Sequence, residues 1–242
     1  MRLRHAVQRE VGRLVSPLWV PLAGMVLRFY FGYRIRDLAE VRRRYQTIRR
    51  QADGPLLVCA NHLTLIDSFI IAWALTNPLH YVLHFNELPW NTPERTNFGA
   101  TLVQRVLIYL AKCIPIQRGG SRGEVAAVLE RVIHLTQRGE TALVFPEAGR
   151  SRTGRVEPDS GAWGVGRIVG AVPGCRVLCI YMRGDRQETF SDFPKRGDRI
   201  YVDSICIEPK SDARGARRSR DLAQQIVNQL VRMEEKYFDG RQ

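Results

Sequence analysis

The chain has 242 residues, 45% of them apolar and 25% charged, which excludes wholesale disorder and predicts one domain with a sizeable core. A formal net charge of +13 excludes indifference to polyanions, so nucleic acid, acidic lipid or a phosphorylated substrate is expected to attract it. Residues 1–50 hold twelve arginines against Glu10, Asp37 and Glu40, so most of the excess charge is an N-terminal feature and not a stripe through the fold. Cys59, Cys113, Cys175, Cys179 and Cys206 are odd in number, fall mostly in apolar runs and form no CxxC pair. They read as small buried residues of a reducing compartment, with neither a disulfide frame nor a zinc site.

Residues 2–15 place Leu3, Val7, Val11, Leu14 and Val15 on one helical face among arginines. The uncharged run that follows, Leu14 to Leu27, contains Pro17 and Pro21 and is shorter than the roughly 20 residues that a spanning helix needs. A secretory leader shares this basic-then-apolar order, but no small-x-small cleavage site precedes the folded-looking sequence. An interfacial anchor fits better, with Trp19, Phe29, Tyr30, Phe31 and Tyr33 at headgroup depth and arginines on acidic lipid. Residues 1–36 are therefore read as a membrane-interface segment and 37–242 as the main domain.

Residues 37–52 predict an amphipathic helix, with Leu38, Val41, Tyr45 and Ile48 three and four apart. Pro55 to Ala60 is a buried strand, Asp67 to Leu75 an apolar helix, Leu79 to Phe85 a second strand, and Asn86 to Asn97, with two prolines, a loop. A helix over 98–111, a short strand over 113–117, a turn at 118–120 and an amphipathic helix closed by Gly139 follow. Strands over 141–145, 176–182 and 200–207 precede a last helix at about 217–238. The alternation predicts an α/β fold with a mainly parallel central sheet flanked by helices, whose sites form at the carboxyl ends of the strands.

Three such strand ends carry chemistry-bearing residues. Asn61-His62-Leu-Thr-Leu-Ile-Asp67 sets an imidazole and a carboxylate five residues apart, so the carboxylate can hold one ring nitrogen while the other faces a substrate. Ile114-Pro-Ile-Gln-Arg118 ends in an arginine. Phe145-Pro-Glu147-Ala-Gly149-Arg150-Ser151 combines small residues, which let backbone amides approach a phosphate, with an arginine that can grip it. Singly, each is also what a satisfied histidine or an exposed turn looks like.

In order and spacing the three resemble the motifs of the glycerolipid acyltransferase family, which includes the 1-acyl-glycerol-3-phosphate acyltransferases. Asn61 to Asp67 is similar to its NHxxxxD motif, Arg118 to the arginine of its second motif, and Phe145 to Ser151 to its FPEGTRS motif. The resemblance covers about residues 55–210. Ala148 stands where the third motif has glycine, and Cys179 where an apolar fourth motif commonly has proline.

The resemblance implies transfer of a fatty acyl group from acyl-CoA or acyl-carrier protein to a lysolipid hydroxyl, with lysophosphatidic acid first among acceptors. His62 would be the general base and Asp67 its orienting partner, while Arg118, Glu147, Gly149, Arg150 and Ser151 would bind the acceptor. No cofactor, metal or nucleic acid is called for. The expected location is peripheral or monotopic on the cytoplasmic face of the cell membrane. Another lysolipid acceptor, or a non-catalytic lipid-binding role, remains open as an alternative.

Overall fold

A computed structural model describes residues 2–51, 54–98, 101–117, 119–147, 149–159 and 163–240. The chain opens with a helix, α1 (Arg2–Met25), that continues through a π-helical turn, Val26–Tyr30. Pro17 and Pro21 lie inside the helix. A proline lacks the N–H that would bond the carbonyl four residues back. For Pro17 that carbonyl is Arg13's, and the Ser16 hydroxyl donates to it instead at 2.8 Å. His5–Tyr30 is thus one helical stretch, long and apolar enough by length and composition to cross a membrane.

The remaining elements are β1 (Arg34–Ile35), α2 (Leu38–Arg50), β2 (Leu56–Ala60), α3 (Asp67–Leu75), α4 (Pro78–Leu83), β3 (Trp90–Asn91), α5 (Arg95–Phe98), α6 (Leu102–Leu110), α7 (Arg122–Gln137), β4 (Ala142–Val144), α8 (Gly164–Ala171), β5 (Arg176–Gly184), β6 (Arg199–Ile207) and α9 (Gly215–Asp239). Six strands form one sheet in the order β1-β6-β5-β2-β4-β3. All neighbours are parallel except β5 and β6, which pair antiparallel from Val177↔Ile207 to Gly184↔Ile200. The predicted α/β architecture with a mainly parallel sheet is the one observed.

Side chains alternate across the sheet and divide the core into two layers. Leu57, Cys59, Val177, Cys179 and Tyr181 pack with α7, α8 and α9, whereas Leu56, Val58, Ala60, Leu178 and Ile180 pack with α2 and α3. On the first side α8 lies hard against α9, since a Cβ on Gly166 would come within 1.8 Å of the Ser219 carbonyl oxygen. The five cysteines are free thiols, and all but Cys206 are buried.

Four local expectations fail for identifiable reasons. Residues 79–83 are helical, not extended, and Phe85 opens a 3-10 turn: Asn77 caps α4 by accepting the His80 N–H at 2.8 Å, and Pro78 fills the first turn. The apolar alternation at Leu79, Tyr81, Leu83 and Phe85 suggested a strand, but only Tyr81 and Phe85, four apart, are buried there. The predicted 86–97 loop contains β3 and the start of α5. The predicted 98–111 helix is restarted at Thr101, whose side chain forms a capping box with Gln104. Residues 113–117 form no sheet strand; they make isolated bridges to Asn91 and Glu94 at the sheet's edge.

Candidate active site

β2 ends on Asn61, which fastens it to β5: the side-chain amide donates to the Met182 carbonyl at 3.0 Å and accepts the Met182 N–H at 2.7 Å. The chain then turns sharply into α3, and Asp67, the first residue of that helix, folds back into the turn. One carboxylate oxygen accepts the backbone N–H groups of Leu63 and Thr64 at 2.6 and 2.8 Å and lies 3.0 Å from His62 Nδ1. The other accepts the Thr64 hydroxyl. Asp67 is fully buried, and its charge sits where the N-terminal dipole of α3 favours an anion. A carboxylate beside Nδ1 selects the tautomer with the proton on Nδ1, so Nε2 is left as the proton acceptor. The His62 ring is backed by Phe145, stacked at 4.0 Å between centroids and 16° between planes.

The segment after β4 grips the same histidine by its backbone. The His62 N–H donates to Glu147 Oε1 at 3.0 Å, and the His62 carbonyl accepts the Ser151 N–H at 2.9 Å. Ser151 closes its own turn, its hydroxyl donating to the Arg155 carbonyl and accepting the Arg155 N–H at 3.0 Å. Gly154 in that turn has φ +72°, and a Cβ there would meet the Glu188 carbonyl oxygen at 2.2 Å, so only glycine fits. Behind the turn, the buried Glu234 carboxylate of α9 receives Arg155 Nε, the Val156 N–H and the Tyr181 hydroxyl.

Burial pushes the Glu147 carboxyl up to about 8, against the bond from His62 N–H that favours its charged form; Glu234, Glu157 and Asp67 add to the rise. A carboxyl whose folded value lies above its ordinary one holds its proton in the folded state and loses it in the unfolded state. Its contribution to stability is therefore full below about 4.5 and declines as pH rises toward about 8. Glu147→Gln keeps an oxygen for the His62 N–H and removes the titration. We expect its melting temperature to match or exceed wild type at pH 8, with the gap closing toward pH 4.5. A gap independent of pH in thermal unfolding would reject this.

Of the residues singled out in the sequence, His62, Asp67, Glu147 and Ser151 are brought together, and Gly149 lies in the bend beside them. Arg150 is directed elsewhere. Its Nη1 donates to the Ser191 carbonyl at 2.9 Å and to the Asp192 carboxylate at 2.8 Å, and its guanidinium lies 5.3 Å from the Phe190 ring centre. Arg118, like Ala148, lies outside the described residues. Sequence reasoning missed the β5–β6 connection altogether, although Ser191 N–H bonds the Leu63 carbonyl and Leu65 N–H bonds that of Asp192. These are backbone contacts, which leave no signature in side-chain pattern.

His62 lines a pocket of about 40 Å³ with Phe69, Asn91, Glu94 and Phe145. Through Ser68, Phe69 and Asn91 it adjoins an apolar cavity beneath α1 that Trp19, Ala23 and Trp73 help to line. Through Thr92 and Phe145 it adjoins a second apolar cavity, of about 290 Å³, lined by Val125, Leu129, Val144 and Ile168. An imidazole oriented by a buried carboxylate at the mouth of apolar cavities can take a proton from a hydroxyl and return it to a leaving group.

A histidine–aspartate pair at the carboxyl end of a strand in an α/β sheet is an arrangement that acid–base chemistry can use. The model of the acyltransferase family matches residues 40–183, from α2 to the end of β5. The chain belongs to that family, and it is an acyltransferase. Comparison with curated proteins gives no match to the chain.

Proposed function

We propose that the protein moves a fatty acyl group from a thioester, acyl-CoA or acyl-carrier protein, to the free hydroxyl of a lysophospholipid, with 1-acyl-glycerol-3-phosphate as the acceptor and phosphatidic acid as the product. The observation that carries this reading is the contact of His62 Nδ1 with an Asp67 carboxylate locked by two backbone N–H groups. His62 Nε2 takes the hydroxyl proton as the acceptor oxygen attacks the thioester carbonyl. Collapse of the tetrahedral intermediate breaks the carbon–sulfur bond, and the imidazolium protonates the departing thiolate. Asp67 stabilises the imidazolium between those events. The apolar cavities on either side of the pocket provide room for acyl chains.

Arg150 and Arg118 are the acceptor's phosphate partners in this reading. The Arg150 bridge to Asp192, which is largely exposed, is worth no more than about 1 kcal/mol. A phosphate that offers bidentate acceptors exchanges for it at little cost.

The membrane supplies the acceptor. Leu14 (82% exposed), Leu18 (75%), Phe29 (77%) and Leu102 (76%) are exposed apolar side chains, as are Leu22, Leu79, Leu83, Val103 and Leu107, on α1, the π turn and the α4 and α6 helices that pack beside α1. Burial of such side chains in the acyl region favours adsorption by about 1.5–3 kcal/mol each, and the N-terminal arginines add attraction to acidic headgroups. The opposite side of α1 and its π turn buries Val20 and Leu27 against the body of the protein, which favours a helix lying in the interface.

A panel of lysolipids assayed for CoA release from acyl-CoA tests both parts. Release is expected with 1-acyl-glycerol-3-phosphate, and the Leu14→Asp/Leu18→Asp variant should lose turnover on vesicle-borne acceptor while retaining it on a dispersed short-chain one. Release with no acceptor would make the protein a thioesterase instead.

A further inference from the structure

The pocket that holds His62 and the apolar cavity beneath α1 meet at Ser68, Phe69 and Asn91, which line both. An acyl chain laid in that cavity reaches His62 through this neck, so the neck is where its terminal carbonyl has to sit. The pocket beyond has room for only about 40 Å³, a few water-sized groups, and whatever is held there lies against all of its walls. A polar side chain in the neck is thus placed to meet the reacting carbonyl.

Asn91 is the last residue of β3, and the edge of the sheet fixes its backbone. Its N–H donates to the Lys112 carbonyl at 3.0 Å, and its carbonyl accepts the Ile114 N–H at 2.8 Å. In the sheet it pairs with Leu143 of β4, two residues ahead of the Phe145 that stacks on His62. The side chain is held less completely. Its Oδ1 is shut off from solvent with no hydrogen-bond partner among the described residues. Such an atom costs stability, because it gives up its bonds to water and gains nothing in return, and few are found without a functional reason. With the oxygen turned into the wall, the NH₂ is the end left to face the neck.

Acyl transfer needs a donor at this point. As the acceptor oxygen bonds to the thioester carbon, its proton passes to His62 Nε2 and an electron pair moves onto the carbonyl oxygen. The charge stays there until the carbon–sulfur bond breaks and the thiolate takes the proton from the imidazolium. Asp67 compensates the imidazolium, and the oxyanion needs a partner of its own. We infer that Asn91 Nδ2 donates to the thioester carbonyl oxygen and stabilises the oxyanion, which makes Asn91 a catalytic residue. The inference deepens the acyl-transfer reading and rests on it. A fixed strand end suits the task, since a donor already in place costs no reorganisation when the charge develops.

The test uses the full chain and two measurements. Asn91→Leu keeps the shape of the side chain and removes both polar atoms. Because an unpaired buried oxygen goes with them, the variant is expected to melt at or above the wild-type temperature. With acyl-CoA and a lysolipid that the wild type accepts, its kcat should fall by about 10²-fold while KM for the donor stays nearly constant, the mark of an interaction made in the transition state. Ser68→Ala removes the hydroxyl of the neck and should cost less. The second measurement needs no turnover. In a His62→Ala background, which leaves the thioester intact, palmitoyl-CoA labelled isotopically at the carbonyl is bound and its infrared stretch recorded. That stretch should lie at lower frequency than in the His62→Ala/Asn91→Leu protein, since a carbonyl that accepts a hydrogen bond vibrates more slowly. A wild-type kcat in Asn91→Leu, a frequency that the substitution leaves unmoved, or a larger loss in Ser68→Ala overturns the inference. So does an Asn91→Leu protein that melts far below wild type, because the amide then serves the fold. A frequency that Asn91→Leu raises, in a protein that acylates no lysolipid, upholds the contact and rejects the proposed acceptor.

Discussion

His62→Ala is expected to lower acyl transfer by about 10²–10⁴-fold while the protein still sediments with vesicles and melts near the wild-type temperature. The ring leaves the Asp67 bond and the Phe145 stack, but the backbone of residue 62 keeps its bonds to Glu147 and Ser151, so the turn has no reason to collapse. Asp67→Asn separates orientation from charge. An asparagine oxygen that keeps the Leu63 and Thr64 N–H groups also keeps His62 Nδ1, because one carboxylate oxygen holds all three, and the NH₂ then replaces the oxygen that accepts the Thr64 hydroxyl, so the tautomer is kept and the charge that stabilises the imidazolium is lost. Its rate should approach that of His62→Ala, whereas vesicle binding stays unchanged. Wild-type turnover in the alanine variant, measured by CoA release with a lysolipid acceptor, would remove His62 from the chemistry.

The second large effect concerns stability. Glu140→Ala should destabilise the fold by about 3–5 kcal/mol, because it strands a buried ammonium. Lys112 is completely buried and points its Nζ at Glu140 Oε2, 2.7 Å away, with the Phe85 carbonyl at 3.1 Å and the Phe85 and Trp90 rings about 5 Å off. Glu140 also accepts the Trp90 indole N–H at 3.0 Å and Arg9 of α1 at 3.0 Å, so the same carboxylate ties β3, the end of α6 and α1 together. Burial lowers the Lys112 pKa to about 8, with Glu140 pulling the other way. Between about 8 and its ordinary 10.5 the unfolded chain binds the lysine proton and the folded chain does not. The stability contributed by this group therefore rises with pH across that window. At neutral pH the ammonium relies on its partner, and denaturant midpoints for Glu140→Ala should fall far below wild type. A Lys112→Met/Glu140→Gln double variant should recover most of the loss, since an apolar replacement leaves no charge unpaired. Equal midpoints for the alanine variant and wild type would contradict this account.

Much of the fold was legible because β2, β4 and β5 are short apolar runs separated by helical periodicity, a pattern that fits few architectures besides a covered parallel sheet. The antiparallel return of β6 was less visible, although residues 185–198 lack the helical pattern that a parallel crossover needs. Leu79 to Phe85 misled because alternation over seven residues satisfies strand and helix alike, and the Asn77 cap that decides between them is a single side chain. Leu14 to Leu27 was read as too short to span, whereas the helix extends on both sides of that run and continues through Pro17, where Ser16 repairs locally what the proline breaks. In the site, His62, Asp67 and Glu147 were readable as residue types at strand ends. That Arg150 bonds Ser191 and Asp192 was not, because the partner segment lies some forty positions away and carries no motif. Lys112 was not singled out in the sequence, since nothing local announces that Glu140 and two aromatic rings surround it.

The double grip of Glu147 and Ser151 on the two ends of the His62 residue has a thermodynamic corollary. The loop expected to receive the acceptor cannot shift without carrying the base along, so binding energy at one is felt as displacement at the other. By reciprocity, whatever holds His62 in place also tightens the loop for its ligand, and the coupling is equal in both directions. Substitutions in this loop should therefore resist division into affinity variants and turnover variants. Glu147, Ser151 and the histidine they hold respond to substitution as one unit.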